Sequence, residues 1–463
     1  MRTIIATSLG FVLVQLDVSI VNIGLARIGT SLGIGVTSLE WIVDAYTLTF
    51  AALMLSAGAI ADRIGARRTF ILGFGLFVAA SAACGLAPGA ATLIIARAVQ
   101  GAGAAALVPA SLALLNHSCQ GDDKARAHAV GLWTAAGSVA LAAGPVLGGL
   151  LIDHIGWRSI FLINLPIGLA GIAMTRRWVA ETQPGTGALD APGQTLGIIA
   201  LATITAAVIQ AGAAGWATTP VIALLATGIA ATAVFLRTEA RASHPMLPLA
   251  FFRLPGFAPA TVVGFVINFT LYGAIFTLNL FLQRIAGLSP SESGLAFLPF
   301  PVALFAANVS AGALVARFGP RAPMTCGLII GAVGFALLLP LDAATPWPAM
   351  IPGLAMIPAG IGIAVPAMTT ALLTPVPRSR SGVASGVLNT VRQAGGAIGV
   401  ALSGGFLAHD GASGMHRSFL LATGLLLAAA LLAFLRMTAG AASNTDPARR
   451  QKKIRFSTIP VSD

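Results

Sequence analysis

Gly58-Ala59-Ile60-Ala61-Asp62-Arg63-Ile64-Gly65-Ala66-Arg67-Arg68 stands between two long apolar runs and gathers four charges in eleven residues, in a chain of which only 9% is charged. A second copy runs Gly312-Ala313-Leu314-Val315-Ala316-Arg317-Phe318-Gly319-Pro320-Arg321. Aligned without gaps, Gly, Ala, Arg, Gly and Arg coincide at five of the first ten positions. Two glycine- and arginine-rich turns, 254 residues apart and each between apolar helices, indicate an internally duplicated membrane protein.

Composition agrees. The 463 residues are 57% hydrophobic with a mean hydropathy of +0.89, which leaves too little polar surface for a soluble domain. The formal charge of +12 does not point to nucleic acid, because the basic residues fall between apolar runs, where positive-inside topology puts them. Cys84, Cys119 and Cys326 are scattered and match neither a disulfide framework nor a zinc spacing. The first apolar run carries Asp17 and lacks a convincing cleavage site, so no cleavable signal peptide is expected. Arginine far outnumbers lysine, a bias of GC-rich bacterial genomes.

A bilayer core of roughly 30 Å takes about 20 apolar residues per helix. Segments of that size read as 4–26, 40–60, 69–87, 91–115, 128–151, 158–175, 192–212, 219–236, 258–282, 293–315, 323–340, 349–373, 382–406 and 417–436, about 14 helices. With both termini inside, 21 of the 27 Lys and Arg lie on the inner side. Four (Arg27, Arg158, Arg284 and Arg417) lie outside, and Arg97 and Arg392 lie within helices. Pro109 matches Pro366 and Gly148-Gly149 matches Gly404-Gly405 at offsets of 257 and 256, so helices 1–6 repeat as 9–14. The domain expectation is a six-helix bundle at 1–178, a linker with two inserted helices at 179–240, a second bundle at 241–440 and a basic cytoplasmic tail at 441–463. Loops at Gln183-Pro184-Gly185-Thr186-Gly187 and from Arg237 to Pro248 bound the inserted pair.

The chain resembles the major facilitator superfamily, and within it the 14-helix drug:proton antiporters. Gly58 to Arg68 is similar to the superfamily's loop 2–3 signature. Leu16-Asp17-Val18-Ser19-Ile20-Val21-Asn22 resembles the branch's helix 1 motif, and Arg97-Ala98-Val99-Gln100-Gly101-Ala102-Gly103 its helix 4 motif. Gly137 and Gly144-Pro145-Val146-Leu147-Gly148-Gly149 resemble the antiporter motif of helix 5. Asn164-Leu165-Pro166-Ile167-Gly168, Gln283 with Gly287-Leu288-Ser289-Pro290, and Asn389-Thr390-Val391-Arg392-Gln393 also fit the branch. Trp41-Ile42-Val43-Asp44-Ala45-Tyr46 is similar to the methylenomycin A resistance group. The resemblance implies an all-α polytopic membrane protein with two pseudo-symmetric six-helix bundles, working in a bacterial inner membrane.

Acids inside lipid cost about 2.5–3.5 kcal/mol at a helix centre, so each needs a reason. Asp17 and Asp44 lie well within helices, and Glu40 sits at a helix end. Asp17 is about 20 Å from the cytoplasmic face, whereas Asp44 and Arg97 lie about 6–9 Å from the outer one. All three then share the outer half of the bilayer. A carboxyl that is alternately wet and dry, or near and far from Arg97, changes its proton affinity with conformation. The expectation is that Asp17 is the main proton site, Asp44 a second, and Arg97 the modulator; a static structural ion pair is the alternative.

At the other face, Asp62 is expected to approach the positive end of helix 13 near Ser381-Gly382. The resemblance makes that contact a cytoplasmic gate, with Arg63 and Arg67 supporting it and Gly58 and Gly65 shaping the turn. Gly137, Gly144 and Gly148 share one helix face and, with Pro145, mark a bend or gate in helix 5, unless they serve packing alone. Phe265, Phe269, Tyr272 and Phe276 form an aromatic stripe that can bind apolar or cationic compounds or simply pack. Asn22, Asn268 and Arg392 are candidate polar contacts to the same substrate.

The function expected is proton-driven export of small apolar or cationic drugs or antibiotics by alternating access. The alternatives are a dedicated exporter of one metabolite and a non-transporting sensor. No GxxxxGK[ST] loop, metal-ligand spacing or nucleophile cluster is present, so no enzyme, cofactor or metal is expected. The partners expected are a small-molecule substrate and the lipid bilayer, with no nucleic acid, and the chain is taken as a monomer.

Overall fold

The structure, a computed structural model, describes residues 1–119, 123–182, 190–242, 245, 247–340, 345–376, 381–410 and 412–437. The loop expected at 183–187, the basic tail at 441–463 and the side chains of Asp62, Ser381 and Gly382 lie outside the described residues.

Everything regular among the described residues is helical. The first seven helices are α1 (Arg2–Leu32), α2 (Val36–Ile64), α3 (Ala66–Gly85), α4 (Ala90–Ser118), α5 (Asp123–His154), α6 (Ser159–Leu162) and α7 (Asn164–Trp178). Then come α8 (Ala191–Ala214) and α9 (Thr219–Glu239). The rest are α10 (Phe257–Leu280), α11 (Pro290–Ala296), α12 (Pro299–Phe318), α13 (Arg321–Leu338), α14 (Ile351–Leu373), α15 (Ser381–Asp410) and α16 (Ala412–Arg436). Twelve spans among the described residues are long and apolar enough to cross a membrane, α6–α7 and α11–α12 each counting as one. The expected count of about 14 is not reached on that measure, because α2 and α15, 29 and 30 residues long, are not among the twelve.

Two expected helices are broken. The segment expected at 158–175 is interrupted at Ile163, and the one at 293–315 breaks before Pro299. Pro299 lies in the first turn of α12, where its missing N–H costs nothing and its ring favours a helix start. Shifted by 254 to 257 positions, the bounds of α1–α7 fall close to those of α10–α16, so the repeat seen in the two turns extends to the helices. Both turns are made by a glycine with positive φ, +100° at Gly65 and +70° at Gly319, a region other residues enter only with strain.

α1 packs against α4, α5 and α7, and α4 also against α2 and α3. α10 packs against α14, α15 and α16, while α13 lies on α14 and α16. α8 fits against α2 and α15, and α9 packs on α8. The two sets of helices are joined near the end where α1 stops and α2 begins. There Gln283 Nε2 donates to the Ile23 carbonyl (2.9 Å), the Arg284 guanidinium sits against Gly29, and the Ser291 amide donates to Asp153 (3.0 Å). Gly294 of α11 meets the Pro145 carbonyl of α5, and Glu40 of α2 meets Gly404 of α15.

Candidate functional site

The first set of helices converges on one carboxyl. Asp17 of α1 is fully buried and accepts from Arg97 Nη1 (2.6 Å), Gln100 Nε2 (2.8 Å) and Asn164 Nδ2 (2.9 Å). Arg97 is held as closely: its Nε donates to the Ile42 carbonyl of α2 (3.1 Å), Nη1 also reaches Gln100 Oε1 (2.6 Å), and the guanidinium lies 4.3 Å from the Tyr46 ring centre. Gln100 passes a further hydrogen bond to Ser81 Oγ (2.8 Å), bringing α3 into the circuit. Donors converging on a carboxylate, with a guanidinium among them, form a charge-assisted network that compensates the buried charge.

Two of the three expected proton-coupling residues are therefore together. Asp44 is not with them. It is fully buried on α2, and neither carboxyl oxygen has a hydrogen-bond partner. Its neighbour one turn earlier is Glu40, also buried and also without a partner at either oxygen. Placing Glu40 at a helix end needs correction: α2 starts at Val36, ahead of the apolar run, and carries Glu40 into its second turn.

At the Gly65 turn, Glu181 and Thr182 cap α3. The amides of Arg67 and Arg68 donate to Glu181 Oε1 (2.9 Å) and Oε2 (3.2 Å), and the Ala66 amide to Thr182 Oγ1 (2.7 Å). This satisfies orphan donors at a helix start with a negative charge where the helix dipole favours one. Arg67 also donates from Nη2 to the Arg176 carbonyl (2.8 Å), so it supports the turn. Arg63 is exposed, and Gly58 has open space on its Cα apart from Pro109 at 4.0 Å.

The three α5 glycines face α1. A Cβ at Gly137 would run into the Phe11 ring, one at Gly144 into Ser19 Oγ, and one at Gly148 into Ile20. Pro145 lies inside α5, between those contacts and Gly294 of α11. The aromatic stripe packs on α15. Gly395 and Gly399 abut the carbonyls of Phe265 and Phe269, Gly396 abuts the Tyr272 ring, and Phe276 is fully buried in the core. Asn22 turns back to the Val18 carbonyl (2.7 Å), while Asn268 accepts from Arg392 Nε (3.1 Å). Among the seven candidate substrate residues, Asn268 and Arg392 are thus joined to each other by a hydrogen bond.

The sequence reading gave no role to Gln100, Ser81, Asn164, Glu40 or Glu181. Gln100 carried a signal, since i and i+3 share a helix face with Arg97. Ser81 carried none, and Asn164 opened a motif of the resembling branch with nothing to link it to Asp17.

A bundle of membrane-length helices built on a shifted repeat, with a compensated ion pair buried inside it, defines a polytopic membrane protein of the transporter kind. The family model of the Major Facilitator Superfamily matches residues 7–400 and 260–461. The chain is 41% identical over 401 residues to the methylenomycin A resistance protein of Streptomyces coelicolor, covering 87% of this chain and 84% of that one. It is 38% identical over 407 residues to the multidrug resistance protein Stp of Mycobacterium tuberculosis, covering 88% and 75%. Among solved structures, a POT family transporter in complex with 5-aminolevulinic acid superposes with a TM-score of 0.69 at 13% identity, over 92% of this chain and 94% of that one. The chain belongs to the major facilitator superfamily.

Proposed function

We propose that the chain is a proton-coupled efflux transporter that exports small apolar or cationic drugs or antibiotics across a bacterial plasma membrane. In this reading α2 and α15 also span, giving 14 spans: two six-helix bundles at 1–178 and 241–440, and α8–α9 inserted between them. Both termini and the 441–463 tail are cytoplasmic, and the chain works as a monomer with protons as its only coupling partner. The Asp17–Arg97 network carries the reading. The substrate class is supported by relatives named for antibiotic and multidrug resistance.

The geometry supplies a mechanism. Ionised Asp17 ties α1 to α4 through Arg97 and Gln100, and to α7 through Asn164. A proton on Asp17 removes the charge that holds Arg97. Arg97 remains tied to α2 by the Ile42 carbonyl and the Tyr46 ring, so α1 is the element released. Proton arrival thus changes how α1 sits against α2 and α4, and alternating access needs such a differential contact. Asp62, with Gly58, Arg63, Gly65 and Arg67, closes the cytoplasmic side against α15 in this reading, and α5 bends at Gly137, Gly144, Pro145 and Gly148.

A narrower reading, a dedicated exporter of one antibiotic, is favoured by the 41% identical relative, which is named for a single compound. A susceptibility panel in a strain stripped of its own exporters separates the two: protection against many compounds supports multidrug export, and protection against one supports the narrower role. Purified protein in liposomes under an imposed pH gradient should move its substrate against that gradient. Movement indifferent to the gradient would refute proton coupling.

A further inference from the structure

Glu40 and Asp44 are four residues apart on α2 and so share one face of it. Both are buried, at 1% and 0% exposure, and all four carboxyl oxygens lack hydrogen-bond partners. Glu40 lies in the packing surface between α2 and α15. A Cβ at Gly404 would run into its Oε1, and Trp41 packs beside it with Ala401, Leu402, Val208 and Ile209.

No described cation answers these acids. On α4, Arg97 is engaged by Asp17, Gln100 and the Ile42 carbonyl; on α1, Asp17 belongs to that same network and Arg27 is exposed. α8 has no titratable residue from 191 to 214. On α15, Arg392 lies three turns before Gly404 and bonds Asn268 of α10, with Tyr272 nearby; His409 and Asp410 follow, their side chains outside the described residues. Tyr46, on α2 itself, lies beneath Arg97.

Packing does not require an acid here. By the 254-residue repeat, Glu40 corresponds to Gly294, which makes the matching contact between α11 and α5, against the Pro145 carbonyl, with no charge at all. Asp44 corresponds to Leu298. Two ionised carboxylates side by side in such a place would each lack a partner and would repel one another.

We propose that Glu40 and Asp44 form a second proton-binding site, separate from Asp17, that holds protons for as long as α2 and α15 are packed together. Because the packed state binds more protons, lowering the pH favours it and raising the pH favours separation. The inference rests on the transporter reading, in which this end faces outward and opens during the cycle. Protons must then load at the pair before the outer end can close.

The test uses the full chain in lipid nanodiscs, with Cys84, Cys119 and Cys326 replaced and spin labels on Thr37→Cys and Ala408→Cys. Interlabel distances are measured from about pH 5 to about pH 9. The expected result is a short-distance population that grows as pH falls. The Glu40→Gln/Asp44→Asn variant should lose this response and stay short throughout. So should Glu40→Leu/Asp44→Leu, which fills the same apolar surface and guards against misfolding of the amide pair. A wild-type distance that ignores pH, or a pH response that survives in both variants, overturns the proposal. Asp17→Asn separates it from the transport reading: that variant should lose gradient-driven export yet keep the distance response. If Asp17→Asn abolishes the response and the Glu40/Asp44 variants do not, the second site is refuted and Asp17 stands alone.

Discussion

The two halves handle buried polarity in opposite ways. In the first, Asp17 and Arg97 sit in a closed circuit drawn from α1, α2, α3, α4 and α7. At the repeat-related positions of the second half stand Leu271 and Leu354, and the polar contact found there is Arg392 with Asn268, one hydrogen bond of 3.1 Å. The second half is held instead by glycines of α15 pressed onto the backbone of α10. A duplicated scaffold therefore keeps its packing in both copies while, among the described residues, placing its buried ion pair in one. The most severe way to break this contrast is Asp17→Asn. It should abolish gradient-driven export in proteoliposomes and, by leaving Arg97 buried without its counter-charge, destabilise the fold by about 3–5 kcal/mol. Adding Arg97→Gln should recover most of the thermal stability and none of the export. Recovered export in the double variant would show that the pair is structural.

A smaller effect separates the two kinds of helix contact. At Gly144 the obstacle to a Cβ is mainly the Ser19 side chain; at Gly399 it is the Phe269 carbonyl and its backbone. Gly144→Ala should cost about 1–3 kcal/mol, with most of it returned by Ser19→Gly in the same chain. Gly399→Ala should cost at least as much, and truncating Phe269 should return little, because the blocking atoms are main chain. Thermal unfolding of the four variants in one detergent decides the matter, and equal rescue in both halves would remove the distinction.

What could be read beforehand follows from how each feature is encoded. Asp17 and Arg97 were conspicuous because a charge in an apolar run is costly and stands out. Their neutral partners were less so: Asn164 lies 147 residues from Asp17, and the motif it opens says nothing of that contact. Helix existence was legible from apolar length, but helix starts were not, since α2 begins at Val36, before its apolar run, and that is why Glu40 was placed at an end. The four residues of the aromatic stripe all lie on α10. Periodicity carries no information about what that stripe meets: Gly396 of α15 abuts the Tyr272 ring, whereas Gly395 and Gly399 reach only the backbone of Phe265 and Phe269.

The smallest expected effect compares the duplicated turns themselves. Gly65 and Gly319 share positive φ, but α3 after the first is capped by Glu181, reached from 114 residues along the chain, whereas α13 after the second has Pro320 at its cap with no side-chain hydrogen bond of its own. Glu181→Ala should remove the acceptor for the Arg67 and Arg68 amides and cost about 1 kcal/mol, within the range of lost N-caps. Glu181→Gln keeps one acceptor oxygen and should cost less. The Arg68–Glu181 ion pair, 3.7 Å long with Arg68 largely exposed, should add little, so the alanine effect should barely change with salt. A strongly salt-dependent loss would mean that the charge, rather than the cap, holds the turn. Gly65 would then be less a capped helix start than the seat of an ion pair.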